Sequence, residues 1–187
     1  LMKTEPDGFS IDDLVRRKVE PWTGVRNYTA RNTMRDLMQV GDGVLFYHSS
    51  CPEPGVAGLA RVASAPFPDP TQFVRKSPYH DARSTRAEPR WQCVEVAIER
   101  KLAKLVPLEA LRGSPAWASS LLLARGNRLS VLPATQAQWD AVHALLAREA
   151  PERKRMVQHL DAGLLRGLLY TADGERLYWN FDQWQKA

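Results

Sequence analysis

Three runs with strand character limit what this chain can fold into. Val44–Ser49 and Val56–Ala63 are rich in branched and aromatic residues and flank a Pro/Gly loop, so they predict a β-hairpin. Trp91–Arg100 interleaves Trp91, Cys93, Val94, Val96 and Ile98 with Gln92, Glu95 and Glu99 and predicts a third strand. Between the second and third runs lies a long irregular connection from Pro66 to Pro89. Loops of that length in a compact domain are usually functional or disordered. Helical patterns do not alternate regularly with these strands, so a doubly wound sheet is excluded in favour of a small curved sheet or barrel with peripheral helices.

The helices announce themselves by their caps. Ser10 with Asp13 forms a capping-box pair, with Phe9 and Leu14 as the hydrophobic staple, and predicts a helix from residue 11 to about Lys18, broken by Glu20-Pro21. A second helix is expected over roughly 28–38, with Val25, Tyr28, Met34, Leu37 and Met38 as its apolar positions and Arg31 and Arg35 on one face. The turn Gly41-Asp42-Gly43 ends it. Pro107–Leu111 reads as a helical turn, Trp117–Ala124 as a short helix, and Arg128–Leu132 as a strand-like segment. Thr135 with Gln138 makes a second capping box and opens a helix to about Glu149, with Trp139, Val142, Leu145 and Leu146 facing the core. Pro151 suggests a boundary between a domain over 1–150 and an extension over 151–187. In the extension, Leu168–Trp179 around Asp173-Gly174 predicts a hairpin. Its eleven large apolar side chains are expected to pack on the domain or, in a homodimer, on a second copy.

With 187 residues the chain can bury a core without disulfides. Cys51 and Cys93 stand in no zinc spacing, so no metal or cofactor is expected, and both read as reduced thiols of a cytoplasmic protein. No apolar run is long enough to span a membrane, and the opening LMKTEPDG has no signal-peptide core. The net charge of +5 suits an anionic partner, and 19 of the 26 basic residues are Arg, the better residue for bidentate phosphate contact. No GxSxG, P-loop or HExxH motif is present. His48 and Cys51 are close in sequence, but a nucleophile–base pair also needs a third orienting group.

What stands out is a set of aromatic and polar residues at element ends: Trp22, Asn27, Arg31, Tyr47, His48, Ser49, Trp91 and Ser130. An extruded base is held by aromatic faces and by hydrogen bonds to its edge. Several blocks carry a family resemblance. Met2-Lys3-Thr4-Glu5-Pro6 with Phe9–Leu14, Trp22 through Gly24-Val25-Arg26-Asn27-Tyr28, and Ala30-Arg31-Asn32 are the first three. They are followed by Gly41-Asp42, Phe46-Tyr47-His48-Ser49, Pro54–Gly58, Tyr79-His80-Asp81, Pro89-Arg90-Trp91 and Arg128–Val131. In this order the blocks resemble the EVE domain over roughly residues 1–147. Thr4 stands where the family usually has Ser.

The resemblance implies an α+β, PUA-like fold, a small mixed β-barrel with peripheral helices, related to the YTH readers of methylated RNA; a C-terminal helix and hairpin extension would be added to it. It implies a non-catalytic module that binds nucleic acid, modified cytosine in DNA being the leading ligand. The expected base pocket is Trp22, Asn27, Tyr47, His48, Ser49 and Ser130, and the expected phosphate contacts are Lys3, Arg26 and Arg31. Three alternatives stay open at this point: an RNA modified-base reader, a protein-interaction module, and an enzyme acting on a base or nucleotide.

Overall fold

A computed structural model describes residues 1–161, 169–170 and 176–177, with side chains through residue 148. The chain forms two compact units, Leu1–Ala144 and Leu145–Ala187. Among the described residues no helix is long and apolar enough to cross a membrane.

The first unit is α+β, built on a curled, half-barrel sheet of five strands. They are β1 (Met2–Thr4), β2 (Val19–Pro21), β3 (Gly43–His48), β4 (Gly55–Val62) and the long β7 (Glu95–Pro107), in the order β1-β3-β4-β7-β2. The expected hairpin is β3–β4, antiparallel, with a register shift between Phe46 and Tyr47. β1 pairs parallel with β3, setting Met2, Lys3 and Thr4 opposite Phe46, Tyr47 and His48. A second small ladder joins β5 (Phe67–Pro68) to β6 (Gln92–Cys93).

The third predicted strand differs from expectation in two ways. It breaks at Val94 into β6 and β7, and β7 runs on to Pro107, through residues expected to lie outside it. Bulges between Val56 and Gly58 and between Leu59 and Ala60 bend the β4–β7 ladder. Such bulges add local twist and let a sheet curl. β1 and β2 were not expected, and Glu20-Pro21 lies in a strand where a helix break alone was read. Pro21 is tolerated because β2 is the sheet edge.

Both capping boxes form. Ser10 and Asp13 exchange hydrogen bonds at the start of α1 (Ile11–Arg17). Thr135 and Gln138 do the same ahead of α4 (Gln136–Asp161). α4 continues past the expected end at Glu149 and through Pro151. One proline removes a single backbone donor, and the helix formers on both sides carry the turn. Trp139, expected in the core, is only half-buried and lies over Gly43, where a Cβ would come within 2.5 Å of its ring.

The second predicted helix is α2 (Tyr28–Asn32) followed by a π-helical turn, Thr33–Leu37. The wider turn changes which side chains face inward. Met34 is buried, but Tyr28 and Leu37 are exposed, against expectation. Trp117 closes a 3₁₀ turn, Pro115–Trp117, after α3 (Leu108–Arg112), in place of a helix to Ala124. Arg128–Leu132 contributes only a bridge, Met2 to Val131.

The core lies between α1 and one sheet face and includes Met2, Leu14, Trp22, Met34, Phe46, Val62 and Val94. Cys93 is a buried free thiol, which burial pushes up to about 12. In the second unit, β8 (Leu169–Tyr170) and β9 (Arg176–Leu177) pair antiparallel, as the hairpin reading expects. Its turn, and the packing of its apolar side chains, lie outside the described residues.

Candidate functional site

A cleft of about 830 Å³ opens between the end of β1, the segment after β2, and residues 127–130. Chain direction explains why these meet. β1 runs parallel to β3, and the Lys3 N–H donates to the Ser130 carbonyl at 2.7 Å. From β3, the Ser49 N–H donates to the Thr4 carbonyl at 2.8 Å. On the opposite side, the Trp22 N–H donates to the Val94 carbonyl at 2.8 Å, which hangs the segment Trp22–Val25 from the strand break.

Lys3, Trp22, Ser49 and Ser130 line this cleft together, so four of the expected residues converge. Trp22 is only 7% exposed. Its ring meets Phe46 edge-to-face at 5.6 Å and Phe9 at 6.3 Å. It therefore offers the cleft a strip of indole and not a whole face.

Lys3 is half-buried, and burial lowers its ammonium pKa. No carboxylate among the described residues pairs with it. Beside it, the Ser49 hydroxyl donates to the Thr4 carbonyl at 3.2 Å. The Thr23 and Ser130 hydroxyls have no hydrogen-bond partner among the described residues.

The other five expected residues are occupied elsewhere. Asn27 is the N-cap of α2, its Oδ1 accepting from the Ala30 N–H at 3.2 Å. Tyr47 follows Phe46 on β3, so its side chain falls on the opposite sheet face. It is buried there, and burial pushes its hydroxyl up to about 12. His48 Nε2 accepts from the Ile11 N–H at 3.1 Å, and burial lowers its pKa, which keeps that nitrogen free to accept. Cys51 turns away, its Sγ donating to the Glu53 carbonyl at 3.4 Å, so the two form no dyad.

Arg26 is structural. Its Nη1 donates to Asp69 Oδ2 at 2.8 Å, its Nη2 to Thr71 Oγ1 at 2.8 Å, and its Nε to the Tyr79 carbonyl at 2.8 Å. Arg31 donates to the Arg90 carbonyl at 2.7 Å and to Asn32, and lies over the Tyr28 ring. Trp91 stacks on Tyr28 at 4.9 Å and gives its Nε1–H to Asp81 Oδ2 at 2.9 Å.

Sequence reading missed Tyr79 as a site residue. Its ring lies over Gly24 and borders the cleft, 44% exposed. The block Tyr79-His80-Asp81 was the available signal. Gly24 has φ +82°, and its N–H donates to Asp69 Oδ2 at 2.9 Å. A Cβ there would come within 2.8 Å of the Tyr79 ring. Gly24→Ala should therefore cost about 1–2 kcal/mol for the left-handed backbone alone, and push Tyr79 away from the cleft. Urea unfolding measures the first effect and Tyr fluorescence or aromatic NMR shifts the second.

Comparison with known proteins follows the same outline. The EVE domain model matches residues 1–145. Human thymocyte nuclear protein 1 is 37% identical over 172 residues, covering 80% of this chain and 74% of its own. A crystal structure of a Pseudomonas putida protein has 45% identity and a TM-score of 0.75, covering 78% of this chain and 97% of that one. The crystal structure of human THYN1 protein in complex with 5-methylcytosine containing DNA has 37% identity and a TM-score of 0.71, covering 78% and 95%.

Proposed function

The chain belongs to the EVE domain family, and on that premise we propose that it is a non-catalytic reader of modified cytosine in DNA, taking one extruded base into the cleft. The observation that carries this reading is Lys3: a half-buried ammonium, without an ion-pair partner among the described residues, on the wall of a cleft that also holds Trp22. An ammonium has three donors and no acceptor, so it suits a phosphate oxygen or a base carbonyl. The binding of 5-methylcytosine DNA by human THYN1 protein, at 37% identity, supports the choice of base.

Extruding a base costs a few kcal/mol, least where it is already unpaired. Stacking on an aromatic surface returns about 1–3 kcal/mol per base. Trp22 and Tyr79 supply that surface, and the hydroxyls of Thr23, Ser49 and Ser130 meet the base edge. Two observations favour a non-catalytic role. Glu20 at the cleft is held by Arg17 Nη1 at 2.6 Å, and the acceptor nitrogen of His48 is already used by Ile11.

The test is a titration of oligonucleotides carrying one cytosine, 5-methylcytosine or 5-hydroxymethylcytosine, single- and double-stranded, in DNA and RNA. A preference for modified cytosine in DNA is expected. Lys3→Gln should weaken it roughly ten- to hundredfold, the value of a charged hydrogen bond of about 1.5–3 kcal/mol. Because burial disfavours the charge, the same substitution should leave thermal stability unchanged or slightly raised. Equal affinity for all bases, or a Lys3→Gln protein that binds as before, would overturn the reading.

A further inference from the structure

With Arg26 and Arg31 occupied internally, the cations left at the cleft itself are Lys3, Arg17 and Arg128, and a strand running past the cleft calls for further charge along its path. The connection between β5 and β6 holds it. We infer that the segment Val74–Arg90 is a preformed clamp for the nucleic-acid backbone flanking the cleft, with Arg75 and Lys76 as its principal contacts; this rests on the reading of the cleft as a base site.

Three observations point there. First, the segment is anchored rather than loose. The buried Gln72 side chain donates to the carbonyls of Asp69 and Trp91 at 2.8 and 2.9 Å and accepts from the Trp91 N–H at 3.0 Å. The Asp81 N–H donates to the Gln72 carbonyl at 3.1 Å, and Trp91 Nε1 donates to the Asp81 carboxylate. The Arg83 N–H first, then the Trp91 Nε1–H and the Arg83 side chain, hold that carboxyl down at about 2, so it stays charged and bonded across the working pH range.

Second, Arg75 and Lys76 occupy the two central positions of a turn closed by the Ser77 N–H on the Val74 carbonyl at 2.8 Å. Both side chains are exposed, and neither has a partner among the described residues. Arg83 and Arg86 on the same segment are also exposed, and Glu88 is its one exposed acid. Arg86 lies over the Phe73 ring at 5.4 Å, which holds its charge near the turn.

Third, the segment is continuous with the cleft through Tyr79. Lys76 precedes Tyr79 by three residues, a reach of at most about 11 Å along the chain. A nucleic-acid strand carries a phosphate every 3.4 Å or so of helix axis. A strand whose base enters the cleft beside Tyr79 therefore places its neighbouring phosphates within range of the turn. A fixed loop that presents cations there binds without the entropy cost of ordering itself.

The experiment measures affinity for methylated duplex DNA against salt concentration, for the parent chain, for Arg75→Gln/Lys76→Gln, and for Arg100→Gln/Arg112→Gln. The last pair removes the same charge from β7 and α3. Each lost phosphate contact lowers the slope of log K against log salt by about 0.9, so the clamp variant should lose about 1.8. Between about 50 and 200 mM salt its affinity should fall about twelvefold less than that of the parent. Its preference for the modified base and its melting temperature should not change, and the control pair should keep the parent slope. A clamp variant with the slope of the parent, or a control that loses as much, overturns the clamp alone. Absence of DNA binding by the parent chain overturns both the clamp and the base-reading assignment.

Discussion

Trp22→Ala should destabilise the domain by about 3–5 kcal/mol, the usual cost of truncating a core Trp. The indole is 7% exposed and touches Phe9 and Phe46 in edge-to-face geometry. Each such pair is worth about 0.5–1.5 kcal/mol beyond its buried area. Trp139→Ala should cost far less, about 1 kcal/mol, because that ring is half-buried over Gly43. This ordering reverses what the amphipathic pattern of α4 alone suggests. Chemical denaturation of both variants checks it, and a Trp22→Ala protein as stable as the parent would remove the indole from the core. For the binding role, Trp22→Phe keeps an aromatic edge at the cleft. Its affinity for the modified base should fall, but by less than the ~1–3 kcal/mol of a whole lost stack.

Arg26→Ala should be comparably severe, again about 3–5 kcal/mol, because it leaves the buried Asp69 carboxylate without its cation. It also removes the donors that hold the Tyr79 carbonyl and Thr71 in place. Arg26→Lys should recover only part of the loss, since a compact ammonium cannot span the Asp69, Thr71 and Tyr79 acceptors that the three guanidinium nitrogens reach. The pH dependence carries a sign. Burial pushes Asp69 up, but the hydrogen bonds from Arg26, Thr71 and the Gly24 N–H outweigh it and hold the carboxyl below its ordinary value. A depressed carboxylate stabilises the fold above its unfolded pKa, about 3.9, and that contribution is lost as pH falls through the folded value. Without Arg26 the largest of the opposing hydrogen bonds is gone, so the folded pKa rises from its depressed value and the stability that Asp69 contributes above about pH 4 shrinks. Unfolding free energies measured from about pH 3 to 7 would expose this; parallel curves for the two proteins would refute the assignment.

Local signals in the sequence carried the β3–β4 hairpin, both capping boxes and the buried Cys93, because each depends on neighbours a few residues away. β1 and β2 were illegible because each has three residues and exists only through partners far along the chain. The second half of β7 hid behind Lys101 and Lys104, which fit an exposed strand edge as well as a loop. Of the residues expected at the site, Lys3, Trp22, Ser49 and Ser130 line one cleft. Arg26 was misread as a phosphate contact because its partners lie 43 to 53 residues away. Asn27 was misread for a different reason. An Asn immediately before a helix is a preferred cap, and that signal stood in the sequence.

The bond between Lys3 and Ser130 ties β1 to a segment far along the chain, just ahead of α4. Closing so long a loop is costly in chain entropy, so these two segments can meet only once the sheet between them has formed. The cleft is therefore complete only when both segments are docked on the sheet. A ligand seated there acts as a clasp between β1 and the segment ahead of α4. Its binding energy is added to the global unfolding free energy and not to one local element. Occupancy should accordingly register in the slowest-exchanging amides of β3 and β4, well away from the ligand itself.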